Sequence, residues 1–255
     1  MIRIIDTLHN MHSKEIILVL PGYDGEGICS SKELQYRLRS SYEVIFLNYP
    51  YYHQTNKAYS LAELVQYVHG FVQSNHIINF HLVGFSMGGF VASAYALKYK
   101  KDINSLTLLN SSAYPVLSPA YRALVFLVYC LFKIPTLARL FSRIYCSKLL
   151  RQYIKHSPLP IPNNDLHASE GYPVFGTLAN IMHSCLKSAY IHNIPTLHIA
   201  RYAILFEDDD SFPAPVYAPL LSKLGFKVSR QQQGGHAISP DYWSIVATII
   251  RSNLQ

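Results

Sequence analysis

Short apolar runs alternate with amphipathic segments along most of this 255-residue chain, and this alternation limits the possible folds more than any other feature. Runs such as "EIILVLPG" (15–22), "EVIFLNYP" (43–50) and "FHLVG" (80–84) have the composition of strands that are buried on both faces. After the second run, "YSLAELVQYVHGFVQ" carries a Ser60–Glu63 capping box and repeats apolar residues at helical spacing. The pattern predicts an α/β protein with a mostly parallel, doubly wound sheet.

The alternation stops after "SLTLLN" (105–110) and resumes at "IPTLHIARYAILFEDD" and "GFKVSRQQQ", both of which we predict to contain strands. Residues 113–190, between these parts, have a helical and irregular pattern. We therefore predict a core formed by residues 1–112 and 191–255. Residues 113–190 are predicted to form a helical insertion, called the cap below, after the sixth strand.

A candidate nucleophile lies where "FHLVG" passes into the next helical segment. Gly84-Phe85-Ser86-Met87-Gly88 matches the pattern Gly-x-Ser-x-Gly between a predicted strand and a predicted helix. In such a turn the serine backbone is strained, and the two glycines stand where a side chain would meet neighbouring backbone. The alternative is a glycine-rich tight turn or a phosphate-binding loop.

A serine hydroxyl needs a base, and His236 is the best candidate among twelve histidines. Where this serine turn carries a triad, the chain order is serine, acid and histidine, and only His236 follows the acidic run "FEDDDSFPAP" (206–215). Gly234 and Gly235 precede it and give its loop freedom. His198, in "PTLHIA", is instead predicted to lie within a strand, as a core or sheet-face residue.

Taken in this order, these segments resemble the α/β-hydrolases, in particular the capped, cofactor-independent serine hydrolases that include carboxylesterases and thioesterases. The resemblance covers nearly the whole chain. It implies an oxyanion hole formed by the backbone N–H groups of Tyr23 and Met87, although Pro21-Gly22 stands where family members often have His-Gly. An ordinary glycine turn is the alternative for Gly22 and Tyr23.

The resemblance also selects Asp209 as the triad acid, because family members place this residue four positions before a proline, here Pro213. A register difference of one residue would give the role to Asp208 or Asp210, which are otherwise expected to be solvated or to cap the next helix. Relatives usually have a glycine shortly before the acid, whereas "RYAILF" intervenes here. Calcium binding is disfavoured, because calcium ligands are spread over a longer loop of alternating oxygen donors.

With serine at the nucleophile position, the expected chemistry is hydrolysis of an ester or thioester of an apolar acyl group through an acyl-Ser86 intermediate. A carrier-protein-linked acyl methyl ester or thioester is one such substrate. Two alternatives remain open: a catalytically silent protein that binds an apolar ligand or partner, and a lyase or carbon–carbon hydrolase with the same triad. No metal, nucleotide or flavin is required, so we expect no cofactor.

The cap holds almost all of the excess charge. Residues 113–190 contain eight basic and two acidic residues, a net charge of +6 out of +7 for the chain. Three interpretations compete: a solvated basic face, a docking surface for an acidic partner such as acyl carrier protein, and an anionic membrane surface. The resemblance slightly favours acyl carrier protein over the membrane. The candidate binding residues are Arg122, Arg139, Arg143 and Arg151. Nucleic acid is a poor candidate, because the charge lies on an apolar helical segment.

The expected location is cytoplasmic. The first fifteen residues, "MIRIIDTLHNMHSKE", lack the apolar run and cleavage site of a signal peptide. The longest strongly apolar run, "ALVFLVYCLF", has ten residues, fewer than the roughly 20 of a membrane-spanning helix. Four widely spaced cysteines are expected to be reduced thiols.

Overall fold

A six-stranded parallel sheet forms the centre of the described part of the protein. The computed structural model describes residues 14–22, 32–52, 57–132, 134, 136–137, 140, 168–187, 189–236 and 241–255. Within them, the strands are β1 (Glu15–Leu20), β2 (Tyr42–Phe46), β3 (Phe80–Phe85), β4 (Ile103–Leu109), β5 (Ala200–Phe206) and β6 (Lys227–Gln231). Their spatial order is β2-β1-β3-β4-β5-β6, and every neighbouring pair is parallel.

Helices cover both faces of this sheet. The described helices, including α4 and α5 of the cap, are α1 (Lys32–Leu38), α2 (Leu61–Ser74), α3 (Met87–Lys98), α4 (Pro119–Phe132), α5 (Ala168–Lys187), α6 (Ala214–Lys223) and α7 (Tyr242–Leu254), with short 3₁₀ helices at Pro50–Tyr52 and Ala189–Thr196. Helices α1 and α7 contribute to one apolar core, whereas α2, α3 and α6 contribute to the other. Because both faces are covered, all six residues of β3 are buried. The predicted doubly wound α/β sheet is confirmed.

Helix α2 begins at the predicted capping box. The Ser60 hydroxyl accepts a hydrogen bond from the Glu63 N–H, and the Glu63 carboxylate accepts one from the Ser60 N–H at 2.8 Å. The apolar residues with helical spacing are all buried against the sheet; they are Leu61, Leu64, Val65, Val68 and Val72. The local sequence therefore fixes both where this helix begins and which face it buries.

The cap contributes α4 and α5 to the described residues. Among the described strands, it follows the fourth in chain order and not the sixth, because only four of them precede it. Hydrogen bonds attach it to the core: the Tyr59 N–H donates to Thr177 Oγ1 at 2.8 Å, and Asn180 Nδ2 donates to the Tyr59 carbonyl at 3.2 Å. The boundaries of the cap and the core stay predictions.

The predicted strand at "PTLHIA" is wrong. A 3₁₀ helix occupies Ala189–Thr196, with Pro195 inside it, and β5 begins only at Ala200, which pairs with Ser105 of β4. Proline cannot donate a hydrogen bond to a strand ladder, and this favours a late start of the strand. His198 consequently lies before the strand and is exposed, so it is not a core or sheet-face residue. The strand itself is "ARYAILF", and the acidic run follows its end directly.

Two of the four cysteines lie in the described residues: Cys130 is exposed and Cys185 is buried. Cys29 and Cys146 lie outside the described residues. None of the helices in the described part of the chain has both the length and the hydrophobicity needed to cross a membrane.

Candidate active site

Ser86 occupies the sharp turn between β3 and α3. Its backbone has φ 50° and ψ −124°, a conformation that a residue with a side chain rarely adopts. Residues at and just after the end of β4 fix this turn. The Ser86 N–H donates to the Leu109 carbonyl at 3.0 Å, and the Ser111 hydroxyl donates to the Ser86 carbonyl. Strain of this kind persists only where surrounding structure over-determines it, and it concentrates at functional sites.

Close backbone packing explains the two glycines of the Gly-x-Ser-x-Gly pattern. A Cβ on Gly88 would lie 2.4 Å from the Pro21 carbonyl oxygen, and a Cβ on Gly84 would lie 2.6 Å from the Gly88 carbonyl oxygen. Real Cβ atoms do not approach backbone so closely, so only glycine fits at either position. The turn thus brings β3 and α3 together and places Ser86 at the carboxyl end of the sheet.

His236 lies within hydrogen-bond distance of both Ser86 and Asp209. Its Nε2 is 2.9 Å from Ser86 Oγ, and its Nδ1 is 2.9 Å from Asp209 Oδ2. Because a carboxylate only accepts, Nδ1 must carry the proton, which leaves Nε2 as the acceptor for the Ser86 hydroxyl. The rings of Phe85 and Phe212 flank the imidazole at 5.1 and 5.9 Å between centroids. In this arrangement the Ser86 hydroxyl can transfer its proton to His236 Nε2.

Asp209 is the aspartate of the acidic run that contacts His236. Its side chain is buried, and Oδ1 accepts hydrogen bonds from the N–H groups of Ser211 (2.8 Å) and Phe212 (3.0 Å). Burial acts to raise the pKa of Asp209, but the hydrogen bonds and the charge interaction with His236, the Asn110 amide and the Phe212 N–H outweigh it. The pKa of Asp209 therefore lies below its ordinary value, and the carboxylate can stabilise a protonated imidazole.

The neighbouring aspartates differ from Asp209 in position. Asp208 accepts hydrogen bonds from the backbone N–H groups of Gly235 (2.8 Å) and Gly234 (3.2 Å), so it binds the loop that carries His236. Asp208 is exposed, as expected for a solvated residue, whereas its contact with this loop was not predicted. Asp210 is exposed. The geometry therefore agrees with the choice of Asp209 among the three, while its catalytic role stays a prediction.

Asn110 is a buried residue of the site that the sequence pattern alone did not identify. It follows β4 with a positive φ of 44°, and its Nδ2 donates to Asp209 Oδ2 at 2.5 Å and to the Gly235 carbonyl at 2.9 Å. Its Oδ1 accepts a hydrogen bond from the Tyr242 hydroxyl at 2.5 Å. A signal was available, because Asn110 ends a strand pattern and carboxyl ends of parallel strands meet at one edge of the sheet.

The predicted oxyanion donors are only partly described. Met87 is the first residue of α3, so its N–H has no carbonyl one turn earlier in the helix to bind. Tyr23 lies outside the described residues. The loop that leads to it begins beside the serine, because a Cβ on Gly22 would lie 3.5 Å from Ser86 Cβ. The use of both N–H groups as an oxyanion hole stays a prediction.

Of the four cap arginines predicted to bind a partner, only Arg122 lies in the described residues. It is exposed on α4, and its Nε donates to the Leu117 carbonyl at 3.1 Å. Arg139, Arg143 and Arg151 lie outside the described residues. Within the part that is described, no group of three or more His, Cys, Asp or Glu side chains could hold a metal ion.

Comparisons with known proteins agree with this fold. A family model described as the alpha/beta hydrolase fold matches residues 15–144. Over 53 residues, which are 20% of this chain and 16% of the relative, the sequence is 49% identical to monoacylglycerol lipase abhd6-A of Xenopus laevis. The chain thus matches less than a fifth of that relative's length.

Solved structures extend the similarity over nearly the whole chain. The esterase EaEST from Exiguobacterium antarcticum superposes with a TM-score of 0.66 at 17% identity, over 95% of this chain and 92% of the esterase. MenH from S. aureus superposes with a TM-score of 0.68 at 16% identity, over 96% and 95% of the two chains. At such identities the likeness concerns the fold alone.

Proposed function

Because the chain belongs to the α/β-hydrolase fold family, we propose that it is a serine hydrolase that cleaves a carboxylic ester or thioester of an apolar acyl group. The observation that carries the proposal is the hydrogen-bonded series Ser86, His236 and Asp209, with 2.9 Å at each of its two links. Three side chains from three separate loops meet in the order and geometry that activate a serine hydroxyl.

The first half of the reaction forms an acyl-enzyme. Ser86 Oγ attacks the carbonyl carbon while His236 Nε2 takes the hydroxyl proton, and the Asp209 carboxylate stabilises the resulting imidazolium. The oxyanion of the tetrahedral intermediate accepts hydrogen bonds from the Met87 and Tyr23 N–H groups. Collapse breaks the bond to the leaving group, which takes the proton from His236 and departs as an alcohol or thiol. The carbonyl carbon is then bonded to Ser86 Oγ.

The second half releases the acid. His236 removes a proton from a water molecule, whose oxygen attacks the acyl-Ser86 carbonyl carbon. The intermediate collapses, Ser86 Oγ recovers the proton from His236, and the carboxylic acid leaves. General acid–base assistance contributes about 10²- to 10⁴-fold to such a rate. Each oxyanion donor contributes roughly 3 kcal/mol, so efficient turnover needs both the acid–base assistance and the oxyanion donors.

The leaving group is the less defined half of the proposed substrate. Similarity to a protein named monoacylglycerol lipase, although it covers a fifth of the chain, makes a monoacylglycerol the first ester to test. The apolar composition of the cap sequence suits an acyl chain better than a sugar or a peptide. Acyl esters and thioesters linked to acyl carrier protein belong in the same panel.

Labelling with a fluorophosphonate probe tests the nucleophile directly. We expect the wild-type protein to be labelled and Ser86→Ala to remain unlabelled, with the two proteins equally folded by circular dichroism. Absence of labelling in the folded wild type would contradict the proposal and favour a catalytically silent protein.

A hydrolysis panel then separates the reaction types. It contains monoacylglycerols, simple acyl esters, acyl thioesters and carrier-linked acyl groups of several chain lengths, with Ser86→Ala as the blank. Ser86-dependent release of fatty acid from at least one of them is the expected result. If the probe labels Ser86 but the panel stays inert, a lyase or carbon–carbon hydrolase activity becomes the better account.

A further inference from the structure

Exposed apolar side chains are concentrated in one part of the cap. Of the twelve large apolar side chains that are exposed among the described residues, eight lie between residues 116 and 140. They are Val116, Tyr121, Leu124, Phe126, Leu127, Ile134, Leu137 and Leu140, and together they are called the apolar cap surface below. Single exposed apolar residues are ordinary, whereas a concentration of this size marks an interaction site.

Helix α4 presents two different apolar sides. Phe126 and Tyr129 lie on one side, where the Tyr129 ring stacks on His183 of α5 at 3.8 Å and the Phe126 ring centroid lies 5.8 Å from it. Leu124 and Leu127 are three residues apart and share the other side of the helix. Their exposed fractions are 42% and 55%, so this side is not covered by the rest of the described protein.

The sequence that contains this surface carries charge of one sign. Between residues 103 and 164 the sequence contains no Asp or Glu, but it contains seven basic residues: Arg122, Lys133, Arg139, Arg143, Lys148, Arg151 and Lys155. Except for Arg122, these basic residues lie outside the described residues, and their charge follows from the sequence alone. Apolar side chains interspersed with cations and free of acids match the requirements of an anionic lipid surface.

Two other occupants satisfy only part of this pattern. An acidic protein would pair with the cations, but its own solvated surface offers little to the Leu124 and Leu127 side of α4. A second copy of the chain would bury apolar surface, but it would bring together two molecules of net charge +7. A bilayer with anionic headgroups satisfies the apolar and the charged residues at the same time.

We propose that the apolar cap surface binds the interface of an anionic lipid bilayer. Leu124 and Leu127 enter the boundary between headgroups and acyl chains, and the positive charge of the sequence from 103 to 164 attracts the anionic headgroups. This binding is separate from the proposed hydrolysis, because it involves neither Ser86 nor His236. It would bring the serine close to a source of apolar acyl esters.

Vesicle sedimentation tests the binding. Ser86→Ala protein is mixed with vesicles of phosphatidylcholine alone and with vesicles that also contain phosphatidylserine, so that no lipid is consumed. We expect cosedimentation with the phosphatidylserine vesicles, weaker cosedimentation with phosphatidylcholine alone, and a decrease of the former with added salt. The same test on the wild type gives the same order whether or not the protein is an esterase.

Matched variants locate the contact. Leu124→Gln combined with Leu127→Gln should weaken vesicle binding by about tenfold or more, because both side chains lose their apolar burial in lipid. Ile78→Gln is the control: Ile78 is 74% exposed and lies just before β3, at the opposite end of that strand from Ser86. Replacement of Arg139, Arg143 and Arg151 together by Gln should remove most of the preference for phosphatidylserine.

Three results would overturn the proposal. One is equal vesicle binding by the double leucine variant and by Ile78→Gln. Another is binding to acyl carrier protein that depends on the leucines, without binding to vesicles. A third is a leucine-dependent dimer in sedimentation velocity, again without vesicle binding. Circular dichroism and thermal melting of each variant show whether it remains folded.

Discussion

The Asn110 side chain bridges Asp209 and the histidine loop: its Nδ2 lies 2.5 Å from Asp209 Oδ2 and 2.9 Å from the Gly235 carbonyl oxygen. Its Oδ1 in turn accepts the Tyr242 hydroxyl. A single amide thus connects the acid, the loop before His236 and helix α7. Because this network is buried, each of its members depends on the others for hydrogen bonds.

Asn110→Ala should therefore affect both stability and turnover. The Gly235 carbonyl and the Tyr242 hydroxyl lose a partner, which should lower the free energy of unfolding by about 1–3 kcal/mol. We expect kcat to fall about tenfold, or ~1.4 kcal/mol of transition-state stabilisation, with KM unchanged because the network contacts His236 and Asp209.

A double-mutant cycle with Tyr242→Phe controls this prediction. Tyr242→Phe removes the hydroxyl that donates to Asn110, so the double variant should be less destabilised than the sum of the single variants. If Asn110→Ala lowers stability but leaves kcat and the pH profile of kcat/KM unchanged, the residue has a structural role only.

Substitutions of the aspartates in the acidic run should have clearly different effects on kcat. Asp209→Asn loses the carboxylate that fixes the imidazole tautomer, and we expect kcat to fall by about 10⁴-fold. Asp210→Asn, at an exposed position, is the matched control and should retain activity within about twofold. Loss of activity in Asp210→Asn, with activity retained in Asp209→Asn, would mean that the wrong acid has been chosen.

The effect of substituting Asp208 on kcat should depend on how many hydrogen-bond acceptors the new side chain keeps. Asp208→Ala removes both acceptors for the Gly234 and Gly235 N–H groups, whereas Asp208→Asn keeps one oxygen. We expect the alanine variant to lower kcat about tenfold through displacement of His236, and the asparagine variant to recover part of that loss. Equal activity in the two variants would contradict a positioning role that depends on hydrogen-bond acceptance.

Two glycine-to-alanine substitutions should change stability in opposite directions. Gly88→Ala forces a Cβ to within 2.4 Å of the Pro21 carbonyl oxygen, so we expect a loss of about 3 kcal/mol or more. Gly70 lies exposed inside α2, where an added Cβ would meet no atom within 4 Å, and Gly70→Ala should stabilise the protein by roughly 0.5–1 kcal/mol. Chemical denaturation measures both, and a stabilising Gly88→Ala would refute the packing explanation.

The capping box should give a pH-dependent contribution to stability. The Lys57 ammonium, and then the Ser60 N–H, hold the pKa of Glu63 at about 2. A carboxyl group whose pKa is lowered on folding stabilises the fold above its unfolded pKa, and this contribution is lost as pH falls toward the folded pKa. The wild type should therefore exceed Glu63→Gln in thermal stability at neutral pH.

The difference in thermal stability between the wild type and Glu63→Gln should decrease as the pH falls from the ordinary glutamate pKa, roughly 4.3, to about 2. It should also be small, because both side chains of the Lys57–Glu63 pair are about half exposed. Ser60→Ala, which removes the cap at every pH, is the control and should cost about 1 kcal/mol. A constant difference between wild type and Glu63→Gln across the acidic range would contradict the assigned pKa shift.

Features with a local cause could be predicted from the sequence. The Ser60–Glu63 box and the strained turn at Ser86 are examples, because each depends on residues a few positions apart. The start of β5 could not be predicted in the same way. The segment "PTLHIA" has strand-like composition, but the start of β5 depends on where the chain pairs with β4. That pairing begins only at Ala200.

The role of Asn110 needed spatial information for a related reason. Its partners, Asp209 and Tyr242, lie 99 and 132 residues further along the chain. They meet because β4 lies between β3 and β5 in the sheet. Sequence spacing predicts which residues follow strands, whereas the order of the strands decides which of those residues come into contact.

The contacts of Asp208 and Asp209 bear on how much the site must reorganise during a reaction cycle. Asp209 binds the imidazole, whose charge changes when it takes and returns a proton, while Asp208 binds the peptide groups of the same loop. Peptide N–H groups do not titrate, so this second anchor keeps its geometry whatever the protonation state of the ring. The backbone around His236 can thus stay fixed while its side chain alternates in charge, which keeps the energetic cost of each proton transfer low.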